Sequence, residues 1–320
     1  MLRSIRPLQD GKLSLSQLPF TQMQSAIDRG YQFLQQELSP QNGFQSLWET
    51  ERWQKDPSIG KHENFSSLLI ANLLGHNSKA EAIRDHLLRI LKRQNQGGFT
   101  NFFRGTSPVP NDIHSSCLSL EFLLEYGEIS PVQAFSAIDR IVANTDQLGV
   151  MRLYLEPEVE PLSNVTDPVA CLNALYLLNL VGRSEEGEPT YRFVQNYLIS
   201  RRYLQGTLYY PGAESFLFFL TRLVSHFPFL KLQWAIELKR AVYECASDNA
   251  QALELAMRIY TCHHLGMLNQ QEIRRLLSMQ DYDGSWPSEM LLEDGQGRPL
   301  LGSRALTTAF ALAALETCHT

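Results

Sequence analysis

The stretch PVACLNALYLLNLVG, residues 168–182, is apolar around almost its whole circumference when its side chains are placed at helical spacing. A helix that is apolar on every face must be surrounded by protein. Five further stretches have this character, and each follows a loop that is rich in glycine, proline or aromatic residues. They are FSSLLIANLL (65–74), SSCLSLEFLLEYG (115–127), PGAESFLFFLTRLV (211–224), NAQALELAMRIY (249–260) and SRALTTAFALAALE (303–316). We therefore expect six inner helices.

Charged amphipathic segments alternate with these apolar stretches, and their spacing is also helical. They recur at residues 21–38, 78–94, 131–144, 190–202, 231–245 and 269–280. Self-similarity with a period of about 40 to 55 residues indicates stacked supersecondary units. The alternation predicts an all-α fold, an (α/α)6 barrel of outer and inner helices. We expect a single toroid domain over residues 1–320, with a short N-terminal extension.

Composition limits the classes of function. A chain of 320 residues with 44% hydrophobic and 19% charged residues fits one large domain or two small ones. The net charge of -6 and the scattered basic residues disfavour nucleic-acid binding. The five cysteines form no CxxC pair, which favours a reducing compartment. With neither a signal peptide nor an apolar run of about 18 residues, we predict a cytoplasmic protein, while shallow contact with a membrane stays open.

The polar starts of the inner helices gather at one mouth of such a barrel. Serine, asparagine and aspartate at helix starts commonly act as N-caps, because their side chains accept hydrogen bonds from backbone N–H groups without a helical partner. Asp167 is the strongest cap candidate, since Pro168 suits the first helical position. Any chemistry of these residues therefore has to be weighed against capping.

The loop Gln280-Asp281-Tyr282-Asp283-Gly284-Ser285-Trp286 resembles the glutamine-tryptophan repeat of squalene-hopene and oxidosqualene cyclases. Weaker copies occur as QNGF at 41–44 and QNQGGF at 94–99. In that family the glutamine ties a helix end to the neighbouring loop, and the aromatic ring packs against it. The resemblance implies the terpenoid cyclase and prenyltransferase toroid. Because protein prenyltransferase β subunits share this toroid, the fold alone leaves the reaction open.

Class II terpene cyclases protonate a terminal alkene with an aspartic acid in a DxDD motif that precedes a helix. The segments 112–115 (DIHS) and 164–167 (NVTD) resemble this motif, but His114 and Thr166 replace the central aspartate. The resemblance implies that Asp112 is the proton donor, that His114 is hydrogen-bonded nearby to set its proton, and that Asp167 is the reserve candidate.

Alkene protonation needs a strong acid that is still protonated near neutral pH. Burial in an apolar cavity raises a carboxyl pKa by several units, whereas a helix N-terminus stabilises the ionised form by only about 1 kcal/mol. Burial can therefore keep a carboxylic acid neutral, as it does in other enzymes.

A cyclase also needs walls that stabilise carbocations without attacking them, and aromatic faces do so through their negative quadrupole. Ordinary core packing is the alternative role for each such side chain. The predicted substrate-binding residues are Trp48, Phe65, Phe103, Tyr209, Tyr210, Phe216, Tyr260 and Phe310.

The chain has room for one toroid, whereas class II cyclases of the hopanoid and sterol type carry two. In this respect it is similar to the monodomain merosterolic acid synthase type. That resemblance implies cyclisation of a linear prenylated substrate, a geranylgeranylated dihydroxybenzoate, into a polycyclic meroterpenoid. A DDxxD cluster that would hold magnesium is absent from the sequence. We expect no metal and no cofactor, and the oligomeric state stays open.

Three other functions remain. A zinc-dependent prenyltransferase needs converging Asp, Cys and His ligands, and Cys262-His263-His264 is the only dense cluster. Successive helical residues point about 100° apart, so at most two of these could reach one ion. A glycoside hydrolase on the same barrel needs two opposed carboxyl groups, which Asp112 and Asp167 could supply. The third alternative is a non-catalytic toroid that binds a prenyl lipid.

Overall fold

The computed structural model describes residues 20–46, 62–94, 98–104, 110–155, 164–267 and 270–319. Within these ranges the chain forms twelve α-helices in two layers. The outer helices are α1 (Phe20–Glu37), α3 (Glu81–Gln94), α5 (Pro131–Ala143), α7 (Glu188–Ile199), α9 (Pro228–Cys245) and α11 (Gln270–Ser278). The inner helices are α2 (Phe65–Leu74), α4 (Ile113–Glu125), α6 (Pro168–Leu180), α8 (Ala213–His226), α10 (Ala252–His264) and α12 (Arg304–His319).

The inner helices form a closed ring. Each contacts the next in chain order, and α12 returns to contact α2. Their side chains are buried on most faces, so that in α6 every residue from Pro168 to Leu178 is buried. The outer helices bury one face only, as in α11, where Ile273, Leu276 and Leu277 point inward. The predicted all-α toroid is confirmed.

Short elements complete the fold. A two-stranded antiparallel hairpin precedes α12 and consists of β1 (Leu292–Glu293) and β2 (Pro299–Leu301). Short 3-10 turns occur at Ser78–Ala80, Ser184–Gly187 and Arg202–Gln205. The last of these turns lies where the charge pattern predicted a continuous helix up to residue 202. Arg201 has a left-handed φ of 62°, which ends the regular helix before this turn.

The glutamine-tryptophan loop connects the last hairpin of the ring to the first. Gln280 Nε2 donates to the carbonyls of Ala26 in α1, at 2.8 Å, and of Gly284, at 2.9 Å. The Trp286 ring is fully buried, and its Nε1 donates to the Leu276 carbonyl at 2.7 Å. The loop therefore ties α11 to α1 and helps to close the ring.

Gly284 allows the two segments to approach each other. Its φ is +91°, a conformation that L side chains rarely adopt, and a Cβ at this position would lie 2.4 Å from the Arg29 carbonyl oxygen. Substitution at this position would push α1 away from the loop.

The same loop-to-helix contact recurs in other repeats. The backbone N–H of Trp286 donates to the Thr308 hydroxyl on α12 at 3.0 Å. In the equivalent loop before α2, the Phe44 N–H donates to the Ser67 hydroxyl, also at 3.0 Å. The QNGF copy thus occupies a position related to that of the Trp286 loop. After the 94–99 copy, the N–H of the next residue, Thr100, donates to the Ser116 hydroxyl on α4 at 3.2 Å.

We expect Trp286→Ala to lower the free energy of unfolding by about 3–5 kcal/mol, since it removes a large buried ring and leaves a cavity. Tyr282→Ala is a matched control, because Tyr282 lies in the same loop and is 96% exposed. Thermal unfolding of both variants tests the role of the loop. Equal melting temperatures for the two variants would contradict it.

Candidate functional site

Three buried carboxyl groups lie at the starts of successive inner helices. Each accepts a backbone N–H bond at the start of its helix. The Glu63 Oε2 accepts from the Ser66 N–H at 2.7 Å, at the start of α2. The Asp112 Oδ1 accepts from the Ser115 N–H, also at 2.7 Å, at the start of α4. The Asp167 Oδ1 accepts from two N–H groups at the start of α6, the nearer at 2.8 Å. Asp112 and Asp167 are therefore the N-caps of their helices, whereas Glu63 lies one residue before Asn64, the N-cap position of α2, and bonds to the first turn of that helix.

Capping uses only one oxygen of Asp112. The other oxygen, Oδ2, is buried and has no hydrogen-bond partner among the described residues. Burial raises the pKa of Asp112 to about 6, and the N–H groups of Ser115, His114 and Phe102 oppose that rise. An ordinary aspartate has a pKa of about 3.9. Asp112 is thus a carboxyl group with a raised pKa and with one oxygen that has no hydrogen-bond partner among the described residues.

Asp167 has a similar environment. Burial raises its pKa, opposed first by the Thr207 hydroxyl and then by the N–H groups of Ala170 and Val169. Both aspartates that the sequence predicted as acids are therefore in positions where desolvation favours the neutral form.

Glu63 is a third buried acid, and the sequence analysis did not single it out as a candidate site residue. Burial raises its pKa to about 7, while hydrogen bonds from Ser66 and Ser46 and the charge of Arg104 lower it. The only signal in the sequence is a glutamate three residues before a serine at a helix start, which does not distinguish a cap from an acid.

His114 lies inside the ring and is surrounded by aromatic side chains. Its ring centroid is 4.5 Å from that of Phe65 and 5.8 Å from that of Phe219. Its Nε2 is hydrogen-bonded to the Tyr210 hydroxyl at 2.9 Å. Burial, followed by the charge of Arg222, lowers the His114 pKa to about 3, so the imidazole is neutral.

The predicted role of His114 needs one correction. The sequence suggested that its imidazole would set the proton of Asp112 through a hydrogen bond. In the structure the imidazole bonds to Tyr210 instead, and the Asp112 Oδ2 has no partner among the residues described. The reason is geometric, since Asp112 is the cap and turns back toward the N–H groups of α4.

A chain of aromatic contacts runs from this mouth through the ring. Phe102 stacks on Phe65 at 5.4 Å, and Phe218 contacts Phe219 at 5.4 Å, Phe310 at 5.0 Å and Tyr260 at 4.8 Å. Such faces could stabilise a carbocation.

The other predicted aromatic residues occupy varied positions. Phe103 packs edge-on against Phe102 at the mouth. Phe216 contacts Tyr197 at 5.1 Å and stacks on Tyr203, which places it between the helix layers and away from His114. Trp48 lies outside the described residues.

Two tyrosines at the mouth form a hydroxyl pair beside Asp112. The Tyr154 and Tyr209 hydroxyls are 3.0 Å apart. The backbone of Tyr154 runs alongside that of Asp112, where the Ile113 N–H donates to the Leu153 carbonyl at 2.8 Å. The sequence singled out Tyr209 but missed Tyr154, because no helical pattern places the 150–155 segment next to the start of α4.

A cavity of about 410 Å³ opens at the same mouth, between the starts of α8 and α10 and the 288–291 segment. Its lining combines apolar side chains with carboxyl groups. The residues are Pro211, Gly212, Glu214, Ser215, Gln251, Leu253, Glu254, Met257, Ser288, Glu289, Met290 and Leu291.

Sequence comparison finds one informative relative, while no protein-family model matches the chain. Over 302 residues the chain is 32% identical to the drimenol cyclase of Aspergillus calidoustus. The match covers 91% of this chain but 51% of the fungal protein. The chain thus spans about half the length of the curated relative that it matches.

Solved structures identify the toroid. The type II terpene cyclase MstE from Scytonema, without ligand, superposes with a TM-score of 0.72 at 13% identity, covering 94% of this chain and 99% of MstE. The fold is that of the type II terpene cyclases. A variant of MstE in complex with geranylgeranyl dihydroxybenzoate has the same cyclase fold, with a TM-score of 0.70, 12% identity and coverage of 94% and 98%. The predicted resemblance of the fold to that of the class II terpene cyclases is confirmed.

Proteins with other activities also have this fold. A D-mannose isomerase matches with a TM-score of 0.59 at 12% identity, over 94% of this chain and 98% of that protein. Among the described residues, no three His, Cys, Asp or Glu side chains are grouped to hold a metal ion. None of the helices in the described ranges is both long and apolar enough to cross a membrane.

Proposed function

We propose that residues 1–320 form a class II terpene cyclase domain that protonates a linear prenylated substrate and converts it into a polycyclic product. A geranylgeranylated dihydroxybenzoate, which MstE binds, is the specific substrate that we put forward. The similarity to drimenol cyclase, the cyclase fold and the buried acids at the mouth together support this proposal.

The main support for the proposal is that the two oxygens of the Asp112 carboxyl group have different environments. One oxygen fixes the group at the start of α4, and the other is free of hydrogen bonds among the described residues. We favour Asp112 over Asp167 as the donor because Asp112 adjoins His114 and the aromatic chain. Asp167 stays the reserve candidate, since its Oδ2 likewise has no hydrogen-bond partner among the described residues.

The first step transfers the carboxyl proton of Asp112 to the terminal alkene. The π electrons form the new C–H bond, the O–H bond breaks toward oxygen, and a tertiary carbocation and a carboxylate result. Internal alkenes then attack in turn, each C–C bond displacing the positive charge along the chain. Loss of a proton from the last cation to a base restores the proton balance, so the reaction is an isomerisation.

The walls of the ring suit the cationic stages. The rings of Phe65, Phe219 and Phe218 present π faces or edges and no nucleophilic atom. The His114 imidazole is occupied by its hydrogen bond to Tyr210, which reduces its ability to attack a cation. Exclusion of water by these side chains would prevent early quenching.

A second candidate function is a non-catalytic toroid that binds a prenyl lipid. The observation that favours it is His114 itself, because a neutral imidazole stands where the family pattern has its central acid. The two functions differ in one property, since a binding protein would retain its ligand unchanged.

We expect Asp112→Asn to lower cyclisation by about 100-fold or more, because the amide keeps the cap but has no acidic proton. Asp167→Asn is the matched control and should retain most of the turnover. Product analysis with geranylgeranyl dihydroxybenzoate and with linear prenyl diphosphates measures both variants.

Unchanged turnover in Asp112→Asn would remove Asp112 from the mechanism, and a loss confined to Asp167→Asn would transfer the role to Asp167. Substrate binding without turnover in the wild-type protein would favour the lipid-binding function. Circular dichroism of each variant separates these outcomes from unfolding.

We also propose that the outward face of α9 touches a membrane surface, from which a prenylated substrate could be taken up. Phe229, Leu232, Ile236 and Tyr243 lie on one stripe of this helix, and Leu232 and Ile236 are 89% and 79% exposed. Lysines and arginines, namely Lys231, Lys239 and Arg240, occur along the same helix. An apolar stripe with basic residues suits an anionic membrane interface.

The double substitution Leu232→Glu with Ile236→Glu should abolish co-sedimentation with vesicles of phosphatidylcholine and phosphatidylglycerol, because it places charge on the apolar stripe. Val132→Glu with Leu148→Glu is the control, since both side chains are exposed elsewhere on the surface. Equal sedimentation of the two variants, or none by the wild-type protein, would refute the membrane contact.

A further inference from the structure

A second cavity lies at the opposite end of the ring from Asp112. It has a volume of about 350 Å³, and all six inner helices line it near their C-terminal ends. About ten water molecules would fill this volume. The lining residues are Asn72, Leu73, His76, Glu121, Glu125, Tyr176, Arg222, Ser225, His226, Tyr260, His264, Ala313, Glu316 and Thr317.

The lining of this cavity contains more charged and polar side chains than are needed to close the ring of inner helices. Burying charged groups costs free energy unless they are paired, and apolar side chains of similar volume would often stabilise the fold more. Glu121 is nevertheless 1% exposed and forms an ion pair with Arg222. The Arg222 guanidinium also lies 4.4 Å from the centre of the Tyr176 ring. Such a cluster in a concave position is typical of a binding site.

A hydrogen-bond network holds the other polar side chains in place. The Tyr176 hydroxyl donates to Glu125 at 3.0 Å and is 2.9 Å from His226 Nδ1. His76 Nε2 is 3.2 Å from the second oxygen of Glu125. The Glu125 carboxylate is therefore fixed in orientation at the cavity wall.

The buried polar atoms of this wall that lack a hydrogen-bond partner among the described residues are acceptors, on Asn72 and on Glu121. Asn72 Nδ2 donates to the carbonyls of Leu68 and Leu118, at 2.8 and 3.1 Å, which fixes the amide. Asn72 Oδ1 is buried and has no hydrogen-bond partner among the described residues. A buried acceptor without a donor costs free energy, so a ligand that brings N–H donors would be favoured here.

The charge balance at this end also favours a cation. Three carboxyl groups, those of Glu121, Glu125 and Glu316, line the cavity together with a single guanidinium, that of Arg222. Lys79 and Arg84 lie outside the lining, but their charges act on Glu316 and His76. Burial lowers the pKa of His226, and that of His264 to about 4, so neither imidazole adds positive charge. Each inner helix directs about half a negative charge from its C-terminus toward the same space.

His76 and Glu316 moderate this balance without reversing it. The hydrogen bond between His76 and Glu125 raises the pKa of His76, but the His76 side chain is 65% exposed at the rim of the cavity. Burial raises the pKa of Glu316 to about 7, so a bound cation would favour its ionised form. The Tyr176 and Tyr260 hydroxyls complete the polar lining and are neutral.

We propose that this cavity is a binding site for a small organic ammonium ion, held by the Glu125 and Glu316 carboxyl groups and the Asn72 carbonyl oxygen. An ammonium group supplies the donors and the positive charge that the lining lacks, whereas an anion would meet three carboxyl groups. The site is separate from the acids at the opposite mouth, and it does not depend on the proposed cyclase activity.

Isothermal titration with putrescine, at constant ionic strength, tests the site directly in the full chain. The diol and the dicarboxylate of the same chain length are the neutral and anionic controls. We expect putrescine to bind at least about tenfold more tightly than either control. No measurable putrescine binding, or equal affinity for the diol, would overturn the proposal.

Two variants locate the binding. Glu125→Gln should weaken putrescine binding about tenfold or more, because it removes a fixed carboxylate. Ala313→Leu should abolish binding by filling the cavity while keeping every charge. Glu185→Gln, on an exposed 3-10 turn, is the matched charge control and should bind as the wild type does. Wild-type affinity in both cavity variants would place the amine elsewhere and refute the site.

Discussion

Desolvation of carboxyl groups at the starts of the inner helices is the constraint on which the proposed chemistry depends. Two effects act in opposite directions on the ionisation of these side chains. Backbone N–H groups at a helix start favour an ionised carboxylate, whereas burial inside the ring favours the neutral acid. At Asp112 burial is the larger effect, since its pKa rises to about 6 although several N–H groups oppose the rise. A toroid suits this balance, because it brings helix starts together around an apolar interior.

The two ends of the ring consequently differ in character. At one end, helix starts carry buried acids, and an aromatic chain that begins at Phe102 and Phe65 leads inward past His114. At the other end, helix C-termini surround a polar cavity with the Glu121 and Arg222 pair in its wall. Parallel alignment of six inner helices makes this polarity unavoidable. Hydrocarbon chemistry is favoured at the first end, and recognition of a cation at the second.

Much of the architecture could be predicted from the sequence, since all-round apolar helices and the Gln280 to Trp286 loop have few alternative structures. The positions of Asp112 and Asp167 at helix starts were predictable for the same reason. Side-chain direction was not predictable. Whether His114 would bond to Asp112 or to Tyr210 depends on packing between α4 and the 207–210 segment, which are far apart in sequence. The partnership of Tyr154 with Tyr209 likewise arises only from the folded chain.

Infrared spectroscopy of the protonated carboxyl C=O stretch, in the wild-type protein minus Asp112→Asn, tests most directly whether burial keeps this acid neutral. An ordinary aspartate is almost fully ionised at about pH 5. If burial keeps Asp112 neutral, a protonated-carboxyl band is present at that pH, is lost with a midpoint at about pH 6, and is missing from the variant. A difference spectrum without this band, showing Asp112 already ionised at about pH 5, would contradict a neutral, buried Asp112.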